Sequence, residues 1–360
     1  IKKHEVKPYI YNSSLMMDPE DAVKKDGTPY RVFTPFYKNN FIGASHTTSC
    51  IDTTDIVILE NKEEGEIESF KRRLIPRHNW HKKFDKYWEP GEIGAQKKLR
   101  KFLDNGLIGY ADGRNRPDLN NVSRLSPHIH FGEISPSEIA NCLGDIDSED
   151  KERFYTELVW REFSHNLLFF NPKLDTVNLQ EKFNLFPWVM NKTHLDAWQK
   201  GNTGYPIVDA GMRELWETGY MHNRVRMIVG SFLVKNLLHH WHLGRDWFRD
   251  TLLDADDANN NASWQWVAGT GADAAPYFRI FNPVTQSQKF DPDGVYIRKY
   301  IPEISKLPNT YIHDPTNCPK TVLENSGIKL GVDYPQGIVN LKESRERALA
   351  AFSQIKNHSK

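Results

Sequence analysis

The chain has 360 residues, enough for one large core or two smaller ones. Lys plus Arg and Asp plus Glu both number 47, so net charge carries no argument for nucleic acid, and any basic face must be local. Cys50, Cys142 and Cys318 form no C-x-x-C pair and no apolar run approaches the roughly 18 residues of a membrane span, which excludes a disulfide framework, a cysteine metal cluster and a transmembrane helix.

The opening residues IKKHEVKPYIYN are charged and aromatic, unlike a signal peptide. A reducing cytosol is the expected setting. Residues 1–90 read as irregular, with clusters of Pro, Asn, Gly and charge. Within them Lys71, Arg72, Arg73, Arg77, Lys82 and Lys83 form a basic run that suits a solvated linker face and a DNA contact equally. From Gly91 the pattern is helical. EIGAQKKLRKFLDNGL carries apolar residues at helical spacing and closes at Gly106. RFYTELVWREFSHNLLFF sets Phe154, Leu158, Phe163 and Leu167 along one side. HLDAWQK, VDAGMRELWETG and HNRVRMIVGSFLVKNLLHHW continue the series, with Gly219 as a stop. The pattern predicts a mainly α fold with a helical domain over 91–350.

Chemistry concentrates in a few segments. DADDANNNASWQWVAGTGADAAPYFRIFNP (254–283) is rich in Asp and Asn, which must find partners if buried or cost a few kcal/mol. Its amides at Asn259, Asn260 and Asn261 donate and accept beside the flat faces of Trp264 and Trp266. That combination suits a planar, heteroatom-rich ligand such as a flavin or a nucleobase. NVSRLSPHIHFGEISP (121–136) offers Ser123, Ser126 and Ser135 as N-caps, and helix N-termini suit phosphate. ELVWREF (157–163) projects Glu157, Trp160 and Arg161 from neighbouring positions. TGYMHNRVRMIVGSF (218–232) places Asn223, Arg224, Arg226 and Met227 on successive helical positions. Taken singly, these read as caps and an amphipathic surface. His165, His239, His240 and His242 lack the carboxylate or cysteine company of a metal site, so no metal is expected.

Together these segments resemble the photolyase/cryptochrome family, most closely its bacterial class I members that repair cyclobutane pyrimidine dimers. The likeness begins near DGTPYRVFTPFYKN (26–39) and runs to about 350 through YPQGIVNLKESRERALAAF. It implies an all-helical FAD-binding and DNA-repair domain over 91–350, preceded by an irregular linker and remnant of an N-terminal region over 1–90, with a tail over 351–360. The family's N-terminal α/β antenna domain has no counterpart in the opening residues. A fragment or naturally short form is therefore expected, without an antenna pigment on this chain.

The resemblance also implies roles. FAD would be held by Tyr110, Val122, Ser123, Arg124, Leu125, Ser126, Phe154, Arg226, Asp254, Ala255, Asp256 and Asn260. Val122 to Ser126 would wrap its phosphates, Arg226 would pair with Asp254 beside the ring, and Asn260 would face N5 and favour a fully reduced, anionic flavin. Trp188, Trp241 and Trp264 would relay electrons from surface to flavin. Glu157, Trp160, Asn223, Met227 and Trp266 would receive a flipped dimer, with Arg114, Arg161, Arg224 and Gln286 on the DNA side. His222-Asn223 stands where repair of the other major pyrimidine photoproduct needs a second histidine. The implied activity is blue-light-driven splitting of pyrimidine dimers in DNA by electron transfer from reduced FAD, a carbon–carbon lyase reaction. The same scaffold also serves cryptochrome-like blue-light receptors that bind FAD without repair; Glu157, Asn223, Met227 and Asn260 favour repair. From another class, a helical nucleic-acid-binding module would be colourless. A monomer in a bacterial cytosol or nucleoid is expected.

Overall fold

Several of the helices begin at residues whose side chains cap them. The computed structural model describes residues 12–45, 78–277 and 279–356, so Cys50 and the basic residues Lys71, Arg72, Arg73 and Arg77 lie outside the described residues. Helix α1 spans Phe33–Asn40 and α2 spans Glu92–Asn105, ending at Gly106 as the sequence predicts. Helix α3, Glu149–Phe170, starts where the Ser148 side chain accepts the Lys151 N–H, and Glu149, Asp150 and Glu152 complement its N-terminal dipole. Helix α4, Pro206–Thr218, stops at Gly219, whose φ of 68° is the left-handed conformation glycine adopts cheaply. Helix α5, Asn223–Ser231, gives way to a π turn over Phe232–Asn236 and a left-handed Leu238, which divides the long apolar run read from the sequence. Helices α6 (Trp241–Thr251), α7 (Asp257–Ala268), α8 (Pro283–Phe290) and α9 (Leu341–Lys356) complete the frame. Among the described residues no strand forms, only an isolated bridge between Leu330 and Tyr334.

Among the described residues two large hydrophobic cores and a smaller third one result. The first gathers Leu99 and Phe102 of α2 with Phe154, Leu158, Phe163 and Leu167 of α3, the side chains that the helical spacing aligned. Tyr30, Phe33, Phe36 and Phe41 join the same core. The stretch read as irregular thus holds a helix: FTPFYKNN is too short to show a sustained period, and its aromatic residues fold by docking on α3. The second core collects α4 to α7 through Leu215, Val229, Phe232, Trp241 and Trp264. Helix α9 runs through the expected tail boundary at 351 and buries Ala348, Ala351 and Ile355 against Phe183 and Tyr277.

A short N-terminal strap is fastened to α3. Glu162, 3% exposed, accepts the Met16 N–H at 2.8 Å, and Asn166 Nδ2 donates to the carbonyls of Pro19 and Ala22. Burial pushes the Glu162 carboxyl up to about 7 against the opposing pull of Arg161.

The second core is tightest where α6 meets α7. A Cβ placed on Gly244 would lie 2.0 Å from the Trp264 ring, so only hydrogen fits there. Gly244→Ala should therefore cost about 1–3 kcal/mol through overpacking, read as a lower urea midpoint at unchanged slope. An unchanged midpoint would mean the Trp264 ring can step aside.

Candidate functional site

Polar side chains line the seam between the two cores. Arg226 of α5 donates Nη2 to Asp254 Oδ2 at 2.8 Å and Nε to the Met221 carbonyl at 2.7 Å. Ser126, from the other side of the seam, donates its hydroxyl to the same Asp254 oxygen at 2.6 Å. Burial draws the Arg226 pKa down, but Asp254 outweighs it and the guanidinium stays charged. Asp254 Oδ1 is buried with no hydrogen-bond partner, as are His222 Nε2 and Arg224 Nε. Orphaned buried donors and acceptors are costly in an apolar setting and fit a ligand that carries both kinds of group.

Arg124 adds strain to this seam. Its φ of 54° lies in the left-handed region, which costs a non-glycine residue about 1–3 kcal/mol and persists only where the surroundings enforce it. Its guanidinium lies 3.7 Å from Glu214 and 5.0 Å from the centroid of the Tyr220 ring. Glu214, 1% exposed, also accepts the His222 N–H and the hydroxyls of Tyr296 and Tyr300. Sequence reading missed this hub, since a single Glu inside a helix carries no spacing signal.

Asp256 caps α7 by accepting the Asn259 N–H at 2.7 Å, and it meets His165 Nε2 at 3.3 Å. Burial lifts the Asp256 carboxyl, yet His165, the Asn259 N–H and Arg161 outweigh it and hold it well below the usual carboxylate range. His165, read from sequence as unremarkable, is therefore part of the seam. Asn260 donates Nδ2 to the Arg245 carbonyl at 3.0 Å, which orients the amide with Oδ1 as its remaining acceptor. Asp257 pairs with Arg249 at 2.6 Å on the surface, both more than half exposed, and contributes little.

Some expected cofactor residues take other places. Ser126 is the first residue of a helix over Ser126–His130 rather than its cap, and its hydroxyl is committed to Asp254; Ser135 does cap, accepting the Glu138 N–H. Leu125 is 1% exposed and belongs to the first core, so its side chain packs rather than facing a ligand. Phe154 sits behind Tyr110, with ring centroids 4.5 Å from Phe102 and 5.3 Å from Tyr110. Val122, Ser123 and Ala255 are half-buried, and Ser123 accepts the Leu125 N–H at 3.4 Å.

The three tryptophans expected to relay electrons differ in exposure. Trp264 and Trp241 are 3% and 0% exposed in one core, and Trp188 is half-buried. The His240 ring lies between the last two, 5.8 Å from Trp241 and 5.1 Å from Trp188. Trp241 donates Nε1 to Asn178 at 2.9 Å and sits under the Arg245 guanidinium.

A second group faces outward. Glu157 of α3 pairs with Arg114 at 2.6 Å, and burial lifts its carboxyl while Arg114 opposes. Arg224 reaches Asn115 at 2.5 Å and lies over Phe290 at 4.4 Å, on the helix that also carries the half-buried Gln286. Asn223 is exposed and Met227, one turn on, is half-buried. Trp160 and Trp266 are half-buried on the packed helices α3 and α7. Arg161 does not join them. It donates to the Ser14 carbonyl at 2.6 Å, with its side chain 14% exposed, so it holds the strap rather than a surface.

Over residues 154–354 the chain matches the FAD binding domain of DNA photolyase. The chain belongs to the photolyase/cryptochrome family. It is 46% identical to the deoxyribodipyrimidine photo-lyase of Agrobacterium fabrum, over 96% of this chain and 73% of that one. It is 34% identical to Cryptochrome-1 of Arabidopsis thaliana, over 96% of this chain and 52% of that one. The crystal structure of a bacterial class III photolyase from Agrobacterium tumefaciens superposes with a TM-score of 0.86 at 45% identity, covering 96% of this chain and 72% of that one. Its likenesses thus extend beyond the class I enzymes that its motifs resemble. Among the described residues no helix is long and apolar enough to cross a membrane.

In this family setting Arg226→Leu tests the seam. It would strand Asp254, whose side chain is 5% exposed. Because Arg226 keeps some solvent, the loss should be about 2–3 kcal/mol, below the ~3–5 kcal/mol of a fully buried pair. Flavin content after purification should fall with it. Normal flavin content and stability would remove the pair from the site.

Proposed function

We propose that the chain is a light-driven DNA photolyase that uses FAD to split cyclobutane pyrimidine dimers. The observation that carries this reading lies on one helix. Helix α3 presents Glu157 and Trp160 outward and, a turn later, joins the cofactor-side seam through His165 and Asp256. Substrate and cofactor residues thus share one rigid element, which suits transfer over a short, fixed gap.

Bound and excited, FAD would supply the electron that opens the cyclobutane ring and would take it back afterwards. The chain's own residues bind, orient and insulate. Arg226, paired to Asp254, supplies positive charge beside an anionic, reduced flavin in a dry site. Asn260, its Nδ2 anchored on Arg245, offers Oδ1 to an N–H of that ring. Arg124 and the backbone of 122–126 suit the phosphates, with Tyr110 against the cofactor, Phe154 behind it and Ala255 beside it. Trp264, Trp241 and Trp188 form the relay that restores the reduced state.

On the outer side, Trp160 and Trp266 offer stacking faces worth about 1–3 kcal/mol per base. Glu157 and Asn223 supply polar contacts, and Met227 fills the apolar floor. Extrusion of the dimer costs a few kcal/mol, least for a damaged pair, as in the base-flipping enzymes to which photolyases are counted. Arg114 and Arg224, with Gln286, face the flanking DNA backbone. The repair unit spans 91–350 with α1 docked on it. We further infer a monomer in the bacterial cytosol. A cryptochrome-like receptor is the second reading, favoured by the likeness to Cryptochrome-1 and opposed by Glu157, Asn223, Met227 and Asn260.

Trp264→Phe separates relay from repair. Phenylalanine is far harder to oxidise, so the variant should keep FAD and dimer binding but lose photoreduction. Repair by flavin reduced chemically beforehand should survive. Photoreduction at the parental rate would remove Trp264 from the relay, and loss of repair by pre-reduced flavin would assign Trp264 to the pocket instead.

A further inference from the structure

Trp160 has two faces, and one is already covered. Phe33 lies flat on it, ring centroids 3.7 Å apart and planes within 5°. Phe33 is 6% exposed in the first core, whereas Trp160 is half-buried, so the accessible face of Trp160 is the one turned away from Phe33. Direct face-to-face overlap is less favourable than offset or edge-on packing, because like quadrupoles oppose each other. Restraints outside the pair must therefore hold it.

The structure supplies them. Phe163 meets both rings edge-on, with centroids 5.9 Å from each. Tyr37, one turn along α1, lies parallel to Phe33 at 6.0 Å. The Phe33 N–H donates to Asp273 Oδ2 at 3.0 Å. Asp273 itself is held at a φ of 46°, a left-handed conformation that a side chain rarely adopts without enforcement. It belongs to the loop that follows Trp266, and the Ala275 N–H returns to the Trp266 carbonyl at 3.2 Å. A single bond thus connects the back of one stacking ring to the loop behind the other.

We propose that Phe33 and Asp273 are positioning residues of the dimer pocket. Phe33 fixes the plane of Trp160, and Asp273 fixes Phe33 relative to Trp266, so the gap between the two stacking faces is set before DNA arrives. Neither residue touches the lesion. A preset gap lowers the ordering cost of binding and favours two covalently linked pyrimidines over a single flat base. This inference rests on the reading that Trp160 and Trp266 take the dimer.

The test uses the flavin-loaded protein and two oligonucleotide duplexes, one with a thymine dimer and one undamaged. Phe33→Leu keeps an apolar side chain but removes the flat face. Dimer affinity should fall about three- to tenfold, with undamaged-DNA affinity, flavin content and photoreduction unchanged. Phe33→Tyr should restore the affinity, Asp273→Ala should weaken it, and Asp273→Asn, which keeps an oxygen acceptor, should weaken it less. In a Trp160→Ala background Phe33→Leu should add nothing. If Trp160→Ala loses dimer affinity while Phe33→Leu keeps it, the positioning role is overturned and the pocket survives. If Trp160→Ala keeps dimer affinity, the pocket itself is misplaced. Equal loss on both duplexes, or loss of flavin in Phe33→Leu, would make Phe33 a core residue only and overturn the proposal.

Discussion

Asp254 is the constraint on which the architecture turns. Its carboxylate joins Ser126 of the N-terminal half to Arg226 of the C-terminal half, across the seam between two hydrophobic cores. Each core alone would close over apolar side chains. The shared oxygen forces polar groups to meet there and leaves the other carboxylate oxygen, His222 Nε2 and Arg224 Nε without partners. Such a seam is poor packing for an empty protein and good packing around a heteroatom-rich cofactor. The strained backbone at Arg124 belongs to the same economy, since strain persists where the surroundings over-determine it.

Helix α3 carries that constraint outward. Its buried side anchors the first core, its Glu162 and Asn166 fasten the strap, and its His165 meets Asp256. The same helix carries the half-buried Glu157 beside Arg114 and leaves one face of Trp160 accessible. His165 on the seam side and the proposed substrate residues Glu157 and Trp160 therefore stand on one rigid rod. Of the three tryptophans proposed as a relay, Trp241 and Trp264 sit in the other core, where Gly244 lets α6 approach the Trp264 ring, and Trp188 packs against its edge.

Much of this was legible in the sequence, for identifiable reasons. Helix α3 showed its buried side because twenty-odd residues sustain one period, and Gly106 and Gly219 marked real ends. The motif residues Arg226, Asp254 and Asp256 were grouped in advance because the resemblance fixed their company. Contacts from distant sequence were not legible. Arg161 looked like a DNA contact beside Trp160, but the Ser14 carbonyl claims it. Ser126 looked like a cap and is an Asp254 partner. Helix α1 was missed because it folds by docking, and Glu214, His165 and Phe33 carry no spacing signal of their own. The left-handed Arg124, Leu238 and Asp273 are tertiary effects that no propensity announces.

The most direct measurement follows a dimer through light. The purified protein with reduced flavin would be mixed with an oligonucleotide carrying a thymine dimer, one half irradiated with blue light and the other kept dark. The account predicts that intact thymines return in the irradiated half alone, at a rate set by absorbed light. Flavin-loaded, dimer-bound protein that returns no thymines under light, or equal recovery in the dark, would contradict it.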